Sequence, residues 1–183
     1  FWHCSNCDAT YLSPVPSKEE ETRFYKMEFE NFMQDRSGKD RNWRTAEAHI
    51  TSNQDQVKRR WGFLKPYLEE NLSLLEIGCS SGFMLDAFTD AGLRCTAVEP
   101  SGEFTEFLKM KGYSVYDSLE SLMKQQSSVK FDLITHFFLF EHIRDPYSFL
   151  KSTLDLLNPK GVMIAEIPCI NDPLVSLYSI PDF

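Results

Sequence analysis

The chain has 183 residues, 42% of them hydrophobic and 14% aromatic, enough for one packed domain with an extension and too apolar for a disordered chain. No apolar run approaches the ~20 residues that span a bilayer, and no charged start with an apolar stretch and small-residue cleavage site marks a secretory leader. The net charge of −8 lies wholly in residues 61–183, where nine basic side chains face seventeen acidic ones, so DNA or tRNA is not an expected partner.

Cys4 and Cys7 open the chain in C-x-x-C spacing, which offers two thiolates to one tetrahedral metal. Zinc takes four ligands, and His3 is badly placed to join this pair, so the two cysteines are half a site or an unligated pair. Pro14 and Pro16 break the connector that completes residues 1–17. From Glu19 to about Phe32 the spacing predicts a helix with Phe24, Met27 and Phe32 on one face. Ser37-Gly38-Lys39-Asp40 reads as a turn. One or two helices are expected from about Trp43 to Leu68, making residues 18–68 a helical extension. Within it, Lys58-Arg59-Arg60 is the nearest candidate for a local basic patch and otherwise reads as the solvated face of a helix leading into Trp61.

Strands and helices alternate from residue 69 onward, which implies an α/β domain with a parallel sheet and helices on both faces. Leu74-Leu75-Glu76-Ile77 is a buried strand, Gly78 and Gly82 bracket a tight turn, and Phe83, Leu85 and Phe88 resume at helical spacing. Arg94 to Val98 forms a second strand, ending at Glu99 and Pro100. Tyr113 to Tyr116 is a short strand before Asp117, and Phe131 to His136 is another. Leu154 to Gly161 closes a helix, and Val162 to Pro168 forms the next strand. Ligands of such sheets lie beyond the carboxyl ends of the strands. The candidate contacts there are Glu76, Gly78, Cys79, Ser80, Gly82, Glu99, Pro100, Asp117, His136 and Phe137. A dinucleotide fingerprint fits badly, because its glycine positions read Gly78, Ser80 and Phe83. Cys79, Cys95 and Cys169 fall in or beside core strands as small hydrophobes, a pattern suited to a reducing, cytoplasmic setting.

The Glu76-x-Gly78-x-Ser80-x-Gly82 loop, the strand ending at Glu99, the run Phe131-Asp132-Leu133-Ile134 through Glu141-His142-Ile143-x-Asp145-Pro146, and the closing Leu156-Leu157-Asn158-Pro159-Lys160-Gly161 occur in fixed order. Over roughly residues 58–170 this order resembles class I S-adenosylmethionine-dependent methyltransferases, whose fold is Rossmann-like. The resemblance implies S-adenosylmethionine as cofactor and a small-molecule acceptor methylated on oxygen or carbon. It implies that Glu76 orients the loop and the amino-acid end of the cofactor, Glu99 holds the ribose, and Asp117 accepts from the adenine amine or else caps the following helix. His136 would touch cofactor or backbone at its strand end. His142 becomes a candidate general base, with Glu141 paired to Arg144 as the structural alternative. The N-terminal helices would pack as a lid, with Tyr25, Phe29 and Trp43 as pocket candidates or as ordinary interface. A subgroup that includes sugar C-methyltransferases ends an N-terminal zinc ribbon in a knuckle like Cys4/Cys7, so zinc is expected if a first knuckle lies upstream. The few residues after Ile167 are too few for the family's last two strands, so the sheet is expected to lack its C-terminal strands; this and the serine at position 80 make a non-catalytic scaffold or binding domain that keeps the fold the alternative expectation.

Overall fold

The computed structural model describes residues 2–8, 10–11, 13–29, 31–32, 35 and 45–169. At its centre five strands lie in the order β5-β4-β3-β6-β7: β3 (Ser73–Ile77), β4 (Arg94–Val98), β5 (Ser114–Tyr116), β6 (Phe131–Phe137) and β7 (Leu157–Glu166). Every pairing in this sheet is parallel. A parallel strand buried on both faces reads as a continuous apolar run, and β3 shows why. Leu74 packs with Leu64, Met84, Leu85, Phe88 and Leu133 on one face, while Leu75 and Ile77 pack with Val98, Leu122, Ile134 and Leu156 on the other. The first face is covered by α3 (Gln54–Leu64), α4 (Phe83–Asp90) and α5 (Gly102–Met110), the second by α6 (Leu119–Gln125) and α7 (Pro146–Leu154). Chain order reverses at β3, whose neighbours are β4 and β6, and the carboxyl end of such a switch point is where sheets of this kind generally bind ligands.

The extension before the sheet carries α1 (Lys18–Arg23), one π-helical turn (Phe24–Glu28) and α2 (Ala46–Ser52), which precedes α3. Ser17 and Glu20 start α1 with reciprocal capping bonds, and the Thr45 hydroxyl caps α2 by accepting from the Ala48 N–H at 3.2 Å. The two short strands β1 (Trp2–His3) and β2 (Thr10–Tyr11) form an antiparallel hairpin around the cysteine knuckle.

Three expectations need correction. Met27, expected to share a face with Phe24, is 70% exposed: the π-helical turn adds a residue to the repeat and rotates it away. Trp43 lies outside the described residues. Asn158 to Gly161 are strand rather than helix end, because β7 begins at Leu157 and a register shift opposite Phe131 and Leu133 absorbs the Asn-Pro-Lys-Gly bend. Since β7 stops at Glu166, Cys169 is exposed and packs in no core, unlike Cys79, while Cys95 is partly buried.

Candidate active site

Three left-handed residues shape the turn between β3 and α4: Gly78 at φ +72°, Ser80 at φ +50° and Gly82 at φ +80°. A glycine reaches this region without cost, and a residue with a Cβ does so only under restraint. At Ser80 the restraint is visible, for its N–H donates to Glu99 Oε2 at 2.7 Å. At Gly82 an added Cβ would stand 2.4 Å from Leu108 Cδ2, and Leu108 is fully buried against α4. Gly82→Ala is therefore expected to cost about 3 kcal/mol, combining backbone strain with overpacking. The urea midpoint measures it; a midpoint within experimental error of wild type would show that Leu108 moves freely.

Glu99 follows β4 and is buried, with both oxygens held: Oε2 accepts from Ser80 N–H and Oε1 from Ser101 N–H at 2.9 Å. Ser101 then caps α5, its hydroxyl accepting from the Phe104 N–H. One carboxylate thus fixes the glycine loop to the next strand-helix turn. Glu76 behaves differently. It is 3% exposed, its Oε2 has no hydrogen-bond partner among the described residues, and burial pushes its carboxyl up to about 8 against the opposing pull of Arg60. The Cys79 thiol beside it is raised well above its usual range, first by burial and then by Glu99 and Glu76.

Two residues that the sequence did not single out for a site sit at its heart. Arg60, read as solvated, is 4% exposed. Its Nε donates to Glu166 Oε2 at 2.7 Å, and its guanidinium lies 4.2 Å from the Phe137 ring centroid and 5.6 Å from that of Phe83. Arg59 shares Glu166 from the outer side. A helical wheel carries the missed signal, since Arg60 falls on the stripe of Val57, Trp61 and Leu64 that packs on the core. His49 of α2 is buried, its Nδ1 is 2.7 Å from Ser81 Oγ in the glycine loop, and its ring stacks on Phe104. Burial pulls His49 down to about 4, so it is neutral at pH 7 and ties the extension to the loop without charge. No local pattern announces this role.

The remaining candidates divide. Gly78, Cys79, Ser80, Gly82, Glu99 and Pro100 are gathered around one turn. Phe137 lies under Arg60. Asp117 is exposed and is not the helix cap: Ser118 caps α6, and its hydroxyl donates to Asp117 Oδ1 at 3.2 Å. His136 hydrogen-bonds to no backbone group among the described residues: its ring is buried against Phe140 and Phe149, and neither nitrogen has a partner there. His142 is exposed in a 3₁₀ turn (Phe140–His142), its Nε2 3.9 Å from Glu141 Oε1. Arg144 does not pair with Glu141. It reaches Glu21 at 3.0 Å and the Pro16 carbonyl instead, binding the post-β6 loop to the start of α1. Tyr25 is half-buried in ring contact with Phe24 and Phe29, and Lys26 O lies 3.7 Å from where a Cβ on Gly102 would stand, so the π-helical turn packs on α5. At the hairpin, the N–H groups of Asn6 and Cys7 hold the Cys4 thiol below its usual range. Among the described residues no group of three or more metal-type side chains converges. A cavity of about 340 Å³ lined by Tyr67, Asp132 and Lys160 lies at the amino ends of β3 and β6, away from the loop.

This geometry has counterparts among known proteins. A ubiquinone biosynthesis O-methyltransferase of Actinobacillus pleuropneumoniae serotype 5b (strain L20) is 30% identical over 100 residues, covering 49% of this chain and 43% of the relative. One of the same description from Rhodopseudomonas palustris (strain TIE-1) is 26% identical over 99 residues, covering 52% and 39%. The chain thus spans less than half the length of these curated relatives. Among solved structures, the DhpI–SAM–HEP complex superposes with a TM-score of 0.59 at 13% identity, covering 92% of this chain and 75% of that one. A SAM-dependent methyltransferase from Archaeoglobus fulgidus superposes at 0.55 with 23% identity, covering 69% and 59%. Likeness at these identities establishes the Rossmann-like fold. No helix among the described residues is long and apolar enough to cross a membrane. The family described as a methyltransferase domain matches residues 45–179, most of the chain, and the protein belongs to that family, within the class I S-adenosylmethionine-dependent methyltransferases.

Proposed function

We propose that this domain binds S-adenosylmethionine across the carboxyl ends of β5, β4, β3 and β6 and methylates a small molecule on a hydroxyl oxygen. The observation that carries this reading is the Glu99 carboxylate, pinned by Ser80 and Ser101 beside a glycine turn that leaves backbone open to close approach. The residues fit the cofactor on a second count. Glu76 Oε2 is a buried oxygen without a hydrogen-bond partner among the described residues, the kind of atom that a bound cation satisfies.

Bound, the cofactor supplies a methyl group already activated on a sulfonium. The chain's own work is then positional, and alignment of two reactants can be worth ~7–11 kcal/mol. Glu99 would hold the ribose hydroxyls, Gly78 to Gly82 would admit the middle of the ligand, and Asp117 stands at the end of β5 where an adenine amine would lie. His142, half-open at the mouth with Glu141 beside it, is the candidate that would take the acceptor's proton. Oxygen is favoured as acceptor because the curated relatives are named O-methyltransferases. Calorimetric titration with S-adenosylmethionine tests the reading: saturable one-to-one binding is expected, and a folded chain that takes up none would overturn it.

The Cys4/Cys7 knuckle supports a second, separate assignment as half of a zinc site, its other two ligands coming from outside the described residues. N–H groups aimed at the Cys4 sulfur favour its thiolate, the form that binds metal. Purified protein should carry zinc that Cys4→Ser removes. Metal content equal in both would sink the assignment.

A further inference from the structure

Phe138 stands where the chain leaves β6, in the left-handed region at φ +51°. A bulky side chain rarely takes this conformation, and where it does its surroundings must hold it there. One bond visibly does so: the Phe138 N–H donates to the Glu166 carbonyl at 2.8 Å. Burial of the ring is a poor reason for the strain, because the residue is 42% exposed.

The strained backbone changes where the ring goes. Strand alternation turns His136 toward Phe149 and Phe137 toward Arg60, so an extended residue 138 would return to the Phe149 side. Instead the Arg60 guanidinium lies 5.6 Å from the Phe138 ring centroid as well as 4.2 Å from that of Phe137. Two successive rings thus meet one cation, which steadies the second ring and leaves much of it in solvent.

Neighbouring residues put this ring at the candidate site. Leu139 packs on the glycine turn, for a Cβ added at Gly78 would stand 3.2 Å from Leu139 Cδ1. The His142 N–H donates to the Leu139 carbonyl at 2.9 Å, so the candidate base stands one tight turn beyond Phe138. Tyr25 borders the same mouth: burial raises its phenol, and Glu21, Glu99 and Glu141 add to the rise. An open aromatic face therefore lies between the turn that would admit the cofactor and the histidine that would take a proton.

Such a face is best matched by a second flat ring, since offset stacking of two π systems adds to the burial of both, and a saturated ring has no π face to offer. We infer that Phe138 is a specificity-determining residue, the platform on which the acceptor lies, and that the acceptor is a flat aromatic ring whose hydroxyl points to His142; this rests on the cofactor reading above. A sugar or an aliphatic alcohol would leave the platform part of its contact only.

Calorimetric titration into protein saturated with S-adenosylhomocysteine is the test, with naphthol and catechol as flat probes and decalinol and inositol as saturated ones. Wild type should bind naphthol ~10-fold more tightly than decalinol, which has the same carbon skeleton. Phe138→Ala should bind both flat probes ~10- to 30-fold more weakly, while its affinity for S-adenosylhomocysteine stays within about twofold. Phe138→Tyr keeps the face and should stay within about threefold of wild type. Unchanged flat-probe affinity in Phe138→Ala overturns the platform, as does an equal loss for the flat probes and S-adenosylhomocysteine. Wild type that shows no preference for naphthol over decalinol, or binds none of the four probes, overturns the aromatic acceptor. If Phe138→Ala fails to fold, Phe138→Leu keeps an apolar side chain without the flat face, and a loss of ~3- to 10-fold confined to the flat probes is expected; an unchanged ratio of flat to saturated affinities overturns the platform there too. Wild type that takes up no S-adenosylhomocysteine instead overturns the cofactor reading on which the platform stands.

Discussion

Glu99→Ala is expected to weaken S-adenosylmethionine binding by about 100-fold, or about 3 kcal/mol. The carboxylate is held at the end of β4 by the Ser80 and Ser101 N–H groups, where a bound nucleoside would present two further donors. A ribose with two vicinal hydroxyls supplies those donors. Alanine removes both acceptors and at the same time frees the Ser80 N–H, so the strained turn at Ser80 loses the bond that holds it. Glu99→Gln keeps one acceptor oxygen and the side-chain volume, and should fall between, at about tenfold. Calorimetry on the three proteins reads the series directly. Affinities within about threefold of one another would mean that Glu99 serves only to join the loop to α5.

Glu76→Gln is expected to stabilise the ligand-free protein at pH 8 and to weaken cofactor binding, two effects of opposite direction from one change. Burial raises the folded-state carboxyl from its ordinary 4.5 to about 8. Between those values the folded chain holds a proton that the unfolded chain releases, so the contribution of this group to stability is fully present below about 4.5 and lost as pH rises toward 8. The full displacement corresponds to about 5 kcal/mol. Glutamine keeps the shape of the protonated acid and cannot ionise. Thermal unfolding from pH 5 to pH 9 should therefore show wild type losing more stability than the variant, with the curves diverging toward the alkaline side. Parallel curves would place Glu76 in contact with solvent or a partner that relieves it. His49 acts in the opposite direction, since its folded value of about 4 lies below the ordinary 6.5 and its contribution is lost as pH falls through that window. Cofactor binding adds a further readout. A cation settling beside Glu76 at pH 7 draws the proton off, so binding should release close to one proton, seen as a dependence of the heat on buffer.

The chain order of apolar runs and the glycines at 78 and 82 were enough to determine a parallel α/β sheet with a left-handed turn between β3 and α4, and the acids at 76 and 99 marked that turn as the candidate site. Those features are local: strand burial, left-handed backbone and an acid at a strand end depend on residues close in sequence. Even the serine at position 80 was legible as a tolerated departure, though only the folded protein displays the Glu99 bond that tolerates it. What tertiary structure alone decided is which distant groups share the site. Arg60 meets Glu166 across 106 residues, and His49 meets Ser81 across 32. Arg144 ignores its neighbour Glu141 for Glu21, 123 residues away. His136 shows a further tertiary effect, for strand alternation turns it onto the face covered by Phe149 of α7. Charge and ring patterns in a sequence state what a side chain can do; burial, which sums contacts from every element packed around it, decides whether a cationic run becomes a solvated face or a guanidinium waiting under a sheet.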